Sequence, residues 1–145
     1  RFIPIGKSSR SLKTALQGMQ EAIGTAKEQP MFLNFLQKSL KPYTIHSLSQ
    51  TPLNRGLSVD GRKKLQDDLQ LLIKTNGLSP GFPRDAKVLV INGELDEIIH
   101  PLTKETLIND LTKYLKYPPT QWNVVNEGHT LKDIQLITKI KEWVK

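Results

Sequence analysis

The sequence has 145 residues, of which 37% are hydrophobic and 24% charged, a composition typical of one folded domain of modest size. It contains no cysteine, which excludes disulfides, thiolate metal sites and a cysteine nucleophile. No apolar run approaches the ~20 residues of a membrane span and no export leader is visible, so we expect a cytoplasmic protein. The first residue is Arg1 rather than methionine, so we expect a piece of a longer protein or a processed product.

The net charge of +7 is carried entirely by the first part of the sequence. Residues 1–85 hold 13 basic against 6 acidic side chains, whereas residues 86–145 hold 8 of each. This asymmetry predicts two units, with an acidic partner for the first. On charge alone, a solvated lysine-rich surface is the simpler interpretation. Nucleic acid is disfavoured as the partner because aromatic residues are few and are not interleaved with the basic ones.

The first part predicts three helices, because its apolar residues recur near the 3.6-residue period. The first helix is capped by Ser11, the second has Pro30 in its first turn, and the third runs from about Asp60 to a stop at Asn76-Gly77. A loop over residues 42–56 separates the second helix from the third. The inward positions are predicted to be Leu12, Leu16, Met19 and Ile23, then Phe32, Phe35, Leu36 and Leu40, then Leu65, Leu69, Leu72 and Ile73.

After a Pro- and Gly-containing linker at residues 78–85, the pattern changes to strand, helix, strand, helix. The apolar run 87–92 predicts a strand buried on both faces, and 122–126 a second one. Thr103 is predicted to cap the helix between them, which Pro118-Pro119 ends. The last helix begins at about Leu131, with Ile134, Ile137, Ile140 and Val144 facing inward. This order predicts a parallel pair, and two parallel strands need further strands to form a stable sheet.

Polar clusters follow both predicted strands, where functional groups of parallel sheets gather. Asp96 follows the first strand and His129 the second, so the two side chains can meet. A carboxylate that accepts the Nδ1 proton orients an imidazole as a general base. Taken singly, Asp96 is better interpreted as a turn or capping residue and His129 as a loop histidine. The other candidates are the alternative acids Glu94 and Glu97, which we expect to be solvated, and His46 and His100, which have no evident partner. No spacing suggests a metal site.

These motifs resemble the C-terminal part of the α/β-hydrolase superfamily. Gly93-x-x-Asp96 with a following apolar pair and proline is similar to the family's acid loop, and Gly128-His129 before the last helix to its histidine loop. His100, inserted before Pro101, departs from the pattern. The resemblance implies an α/β fold that is incomplete by itself, with residues 1–85 as a helical lid and 86–145 as the end of the core. Residues 1–4 would end a core strand.

A triad hydrolase also needs a serine on a strand-to-helix elbow. Gly77-Leu-Ser79-Pro80-Gly81 fits the letters, but it follows a helix, and Pro80 has no N–H to donate to an oxyanion. The segment 6–10 fails the pattern at its last position. We therefore expect the nucleophile and the oxyanion hole on an N-terminal half upstream of Arg1, and this chain alone to be inactive.

Within the superfamily, the lid and Gly93-Glu-Leu-Asp96 are similar to carboxylesterases that act on pimeloyl-[acyl-carrier-protein] methyl ester in biotin biosynthesis. The resemblance implies a serine ester hydrolase with no cofactor and, as partner, an acidic acyl carrier protein docked on the basic lid. The candidate contact residues are Arg10, Lys13, Arg62, Lys63 and Lys64. The alternatives are another triad hydrolase acting on a lactone, thioester or carbon–carbon bond, a non-catalytic binding module of the same fold, and a basic nucleic-acid-binding domain.

Overall fold

The chain is a mixed α/β structure in which a helical part precedes a small parallel sheet. The computed structural model describes residues 8–47, 49, 52–75 and 77–145. Their elements are α1 (Ser8–Ala22), α2 (Glu28–Ser39), one turn of 3-10 helix (Pro52–Arg55), α3 (Val59–Lys74), β1 (Leu89–Gly93), α4 (Pro101–Tyr114), β2 (Thr120–Val124) and α5 (Ile134–Val144). The strand, helix, strand, helix order predicted for the second part is confirmed. The predicted core strand at residues 1–4 lies outside the described residues.

Helices α1, α2 and α3 pack around a small apolar core. Leu16, Ile23 and Leu69 are buried in it, as their helical spacing predicted. The predicted cap at Ser11 is wrong, because α1 begins at Ser8 and Ser11 therefore lies inside its first turns. Phe35 was expected inward but is 36% exposed.

Helix α3 begins and ends close to the predicted positions. The Ser58 side chain caps it by accepting a hydrogen bond from Gly61 N at 3.0 Å. Because that serine can satisfy the free N–H of the first turn, the helix starts just before the predicted Asp60. Its last residue is Lys74. The predicted stop signal was Asn76-Gly77, and Asn76 lies outside the described residues.

A buried ion pair joins the start of α2 to α3. The Glu28 side chain is 5% exposed and accepts bonds from Arg62 Nε at 2.6 Å, Arg62 Nη2 at 2.9 Å and Gly24 N at 2.6 Å. The Arg62 hydrogen bond lowers the pKa of Glu28 and outweighs burial, which acts in the opposite direction. Gly24 adopts a φ of 78°, which a glycine reaches without strain.

Strands β1 and β2 pair in parallel, with a register from Leu89 opposite Thr120 to Gly93 opposite Val124. Both strands therefore end at the same edge of the sheet. Each differs from the predicted range by one or two residues, and the polar Thr120 and Gln121 belong to β2. The expectation that β1 is buried on both faces is wrong for this chain. Its residues 89–92 are only half-buried. The faces of a parallel strand are covered by helices or a second layer, not by the strand paired beside it.

Helix α4 is capped by a residue other than the predicted one, and α5 begins later than predicted. His100, not Thr103, caps α4, since its Nδ1 accepts a bond from Leu102 N at 3.2 Å. Pro101 occupies the first turn, where a missing N–H is tolerated. Asp133 caps α5 by accepting from Gln135 N at 2.9 Å, so this helix starts later than predicted.

The apolar face predicted for α5 is only partly correct. Leu136 is buried, whereas Ile137 and Val144, both expected inward, are 59% and 70% exposed. The side chain of Ile134, also expected inward, lies outside the described residues. Two of the four predicted inward positions are therefore largely exposed in the described part of the chain.

The linker before β1 is held against α4. Tyr114 donates its hydroxyl to Phe82 O at 2.6 Å, and Arg84 Nε donates to Tyr114 O at 3.2 Å. The Arg84 guanidinium also lies 5.5 Å from the centre of the Tyr114 ring. Two prolines and these contacts fix how β1 enters the sheet.

The chain has a larger solvent-accessible surface than a compact monomer of the same mass. Its accessible surface is 10064 Å², whereas a compact monomer of 16.4 kDa exposes about 7500 Å². Part of the exposed area is apolar and lies at Val125, Ile137 and Val144 in the sheet part. None of the helices in the described ranges combines the length and apolar character of a membrane span.

Candidate functional site

The loops that leave β1 and β2 are joined to each other by hydrogen bonds. Leu95 N donates to Glu127 O at 2.8 Å, and Glu94 N donates to Val124 O at 3.0 Å. The Glu94 carboxylate in turn accepts from Asn126 N at 3.1 Å. Because the strands are parallel and in register, these bonds hold the two predicted site loops side by side.

Two motif glycines permit this close approach. A Cβ on Gly93 would overlap the carbonyl oxygens of Glu127 and Gly128. A Cβ on Gly128 would overlap Lys41 O and would press on Ser39 O at 3.1 Å. All of these neighbours are backbone atoms that cannot rotate away, so glycine is required at both positions.

Asp96 is a buried carboxylate with both oxygens occupied. Its side chain is 5% exposed. Oδ1 accepts from Ile98 N at 2.8 Å and Ile99 N at 3.1 Å, while Oδ2 lies 3.3 Å from His129 Nδ1 and 3.4 Å from Lys104 Nζ. Burial alone would raise the pKa of Asp96, but the two N–H groups, His129 and Lys104 together lower it. The group is therefore ionised near neutral pH.

His129 presents the second nitrogen of its ring away from Asp96. A carboxylate can only accept, so the contact at 3.3 Å places the proton on Nδ1 and leaves Nε2 as the proton acceptor. Within the described part of the chain no group hydrogen-bonds to Nε2, and the side chain is 38% exposed. The ring lines a large cleft. This is the arrangement of an oriented general base.

The cleft lies between the three helices of the first part and the loop after β1. Its volume is 910 Å³, within the range of ligand sites. Most lining side chains are apolar, among them Leu12, Met19, Phe32, Phe35, Leu65 and Ile98. Phe35 is exposed because it faces this space. An apolar group bound here would lie against the imidazole of His129.

Three contacts join the helical part to the two site loops, one to the loop after β1 and two to the histidine loop after β2. Thr130 N donates to Ser39 O at 2.8 Å, Lys41 pairs with Glu97, and Lys132 Nζ lies 4.3 Å from the centre of the Tyr43 ring. The end of α2 and the segment after it thus form one wall of the site.

The remaining acids and histidines lie apart from the Asp96–His129 contact. Glu94 is exposed and bonds to Asn126 N, and Glu97 is exposed and paired with Lys41. His100 was expected to have no evident partner, but it caps α4. His46 is exposed in the loop after α2. Among the residues that are described, no three acidic or histidine side chains are arranged to hold a metal ion.

No serine lines the described part of the cleft. Ser79 is an exposed turn residue that accepts Phe82 N through its backbone carbonyl, at 3.2 Å. Ser39 lies beside the histidine loop, but its hydroxyl is buried and donates to Leu36 O at 3.3 Å. Of the segment 6–10, residues 6 and 7 lie outside the described residues.

The five predicted partner-contacting cations do not form one patch. Gln20 bonds to Gln66 O at 3.0 Å and to Gln70, and Gly24 lies next to Arg62, so α1 and α3 run antiparallel. Arg10 and Lys13 are therefore at the opposite end of this pair from residues 62–64, a separation of about 20 Å at 1.5 Å per helical residue. Arg62 is also committed to the buried Glu28, so it is not available as a docking residue.

Comparison with known proteins gave no match to any protein family, curated protein or solved structure. Only the geometry of the described residues therefore identifies this region as a functional site. Three of its features did not emerge from the sequence: Lys104 on the Asp96 carboxylate, the steric requirement at the two glycines, and the cleft itself. The glycines were visible in the motifs, but their neighbours were not.

Proposed function

We propose that this chain is the C-terminal part of an α/β-hydrolase that acts as a serine ester hydrolase, with Asp96 as the acid and His129 as the base. The observation that carries the proposal is the 3.3 Å contact between Asp96 Oδ2 and His129 Nδ1 at the wall of an apolar cleft. A buried carboxylate that orients an exposed imidazole is the acid–base half of a hydrolytic triad. Among the described residues the sheet has two strands, so each has an edge at which a further strand of the same protein could pair.

In the proposed reaction, the nucleophilic serine comes from the part of the protein upstream of this chain. His129 Nε2 accepts the hydroxyl proton as the serine oxygen attacks the ester carbonyl, and the imidazolium is stabilised by Asp96. The imidazolium then gives that proton to the departing alcohol, which leaves an acyl-enzyme. Water, deprotonated by the same nitrogen, attacks the acyl carbon, and the released serine oxygen recovers the proton.

The lining of the cleft supports an ester with an apolar acyl chain as substrate. Apolar side chains surround most of the space, and four charged ones also line it: Lys38, Lys64, Asp68 and Glu97. A chain packed against the apolar side chains would place its carbonyl carbon near His129. We propose an acyl ester of the kind that carboxylesterases cleave, with pimeloyl-acyl-carrier-protein methyl ester as the first substrate to test.

Labelling by a fluorophosphonate tests the triad in the complete protein that contains this chain. The probe reacts with a serine only when a base activates it, so we expect labelling that His129→Ala abolishes. His46→Ala is the matched control, since His46 is an exposed histidine away from Asp96. Labelling that survives His129→Ala would show that another group activates the serine.

The charges near the cleft support an acyl carrier protein as the partner. Lys64 lines the cleft and is 80% exposed, and its neighbour Lys63 is exposed. An acidic carrier bound there would deliver its acyl chain to the cleft. Changing both residues to alanine should raise KM for a carrier-bound ester, whereas the same change at Arg10 and Lys13, at the far end of α1, should not. Salt at about 0.5 M screens attraction between charges. If the KM of the Lys63 and Lys64 double variant still exceeds that of wild type by the same factor at that salt concentration, the docking is not electrostatic.

A further inference from the structure

Lys104 contacts the same carboxylate oxygen as the catalytic base. It lies on α4, one turn after the cap, and its backbone N–H bonds to His100 O at 3.2 Å. Its side chain is only 22% exposed, and its Nζ is 3.4 Å from Asp96 Oδ2. His129 Nδ1 lies 3.3 Å from that oxygen. The ammonium and the imidazole are therefore less than about 7 Å apart, and they share one partner.

Among described residues, no other charged side chain is hydrogen-bonded to or ion-paired with Asp96 or His129. On the β1 loop, Glu97 is paired with Lys41, and the Glu94 carboxylate is directed to Asn126 N. On the β2 loop, Glu127 accepts Lys132 N at 3.0 Å, and the Lys132 ammonium lies over Tyr43. The cleft side carries the charged groups Lys38, Lys64 and Asp68. None of these, by the contacts described, reaches Asp96, whereas Lys104 does.

We propose that Lys104 is a positioning residue that binds Asp96 Oδ2 together with His129 and weakens the attraction between that carboxylate and a protonated imidazole. The part of this inference that concerns catalysis rests on the proposed function, because a general base must be unprotonated to accept a proton. The electrostatic part concerns only these three side chains.

The effect has two parts that act in a defined direction. Two backbone N–H groups bind Oδ1, and the Lys104 ammonium binds Oδ2. Together they hold the Asp96 carboxylate in the rotamer that faces His129. The ammonium also offsets part of the negative charge of Asp96, so the carboxylate stabilises a protonated His129 ring less strongly. At the half-exposed depth of this site, removing the ammonium should raise the titration midpoint of His129 by about one pH unit.

Proton NMR of the imidazole Cε1–H tests this in the 145-residue chain. The sequence has three histidines, so His46→Gln and His100→Gln assign the resonance of His129. We expect Lys104→Met to raise its midpoint by about one unit and Lys104→Arg, which keeps the charge, to leave it near wild type. Lys113→Met, an exposed lysine on the same helix, removes the same charge at a distance and should change nothing. An unchanged midpoint in Lys104→Met, or an equal rise in Lys113→Met, would overturn the proposal.

A second measurement uses the complete protein and separates this inference from the proposed function. The acid limb of kcat/KM for an ester substrate should move to higher pH by about one unit in Lys104→Met and not in Lys104→Arg. An acid limb that stays in place in Lys104→Met would also overturn the proposal. If the wild-type protein hydrolyses no ester, the proposed function is wrong, and the NMR midpoint still decides whether Lys104 controls the imidazole.

Discussion

Gly128→Ala should separate the histidine loop from the helical part. The new Cβ would overlap Lys41 O and lie 3.1 Å from Ser39 O, and neither carbonyl can rotate away. Overpacking of this kind costs about 1–3 kcal/mol, and loss of the Thr130 N to Ser39 O bond adds about 1 kcal/mol. For a chain of this size the combined loss corresponds to a drop in Tm of roughly 6–15 °C.

Gly18→Ala is the matched control for this change. Gly18 lies inside α1, and a Cβ there would meet nothing within 4 Å. Alanine is favoured over glycine in a helix by about 0.5–1 kcal/mol, so this variant should be slightly more stable than wild type. Thermal unfolding followed by circular dichroism compares the three proteins. If Gly128→Ala unfolds at the same temperature as wild type, the close approach at Gly128 is wrong.

The buried and exposed ion pairs should respond differently to substitution. Glu28→Gln removes a carboxylate whose pKa in the folded protein lies below the ordinary value of 4.5. The ionised carboxylate stabilises the folded protein fully above pH 4.5, and this stabilisation is lost as the pH falls through the lower folded pKa. Urea unfolding between about pH 3 and 6 should show a weaker pH dependence in the variant, and an unchanged slope would contradict the assignment. Lys41→Ala should cost less than about 1 kcal/mol, because both members of its pair with Glu97 are nearly half exposed, and a loss of more than about 2 kcal/mol would show a larger role.

The elements could be predicted because their signals are local, whereas several of their ends could not. Helical spacing and the β-branched run at 87–92 identify helices and a strand without knowledge of their neighbours. The start of α4 depends on whether His100 or Thr103 bonds to the first turn, and both residue types can do so. The start of β2 is set by pairing of Thr120 with Leu89 rather than by hydrophobicity.

The Asp96–His129 contact followed from the ends of two consecutive strands, but the rest of the site depends on packing. Lys104 looks like any surface lysine of an amphipathic helix, and only the position of α4 against the β1 loop brings its Nζ to Asp96. The cleft requires the relative placement of α1–α3 and the strand tips, which no local pattern encodes. The spatial separation of the five candidate cations depends on packing in the same way, because the pairing of α1 with α3 places Arg10 and Lys13 far from residues 62–64.

Ester hydrolysis by Asp96→Asn in the complete protein tests the central claim most directly. An amide at this position removes the charge that stabilises the imidazolium and can favour the wrong tautomer of His129, so kcat for a p-nitrophenyl ester should fall by about 10³–10⁴-fold, as it does when a triad acid is changed in this way. Glu105→Gln, an exposed acid on α4 outside the cleft lining, should retain activity within a few-fold. If Asp96→Asn keeps more than about a tenth of the activity, or if Glu105→Gln loses it equally, Asp96 is not the acid that directs His129.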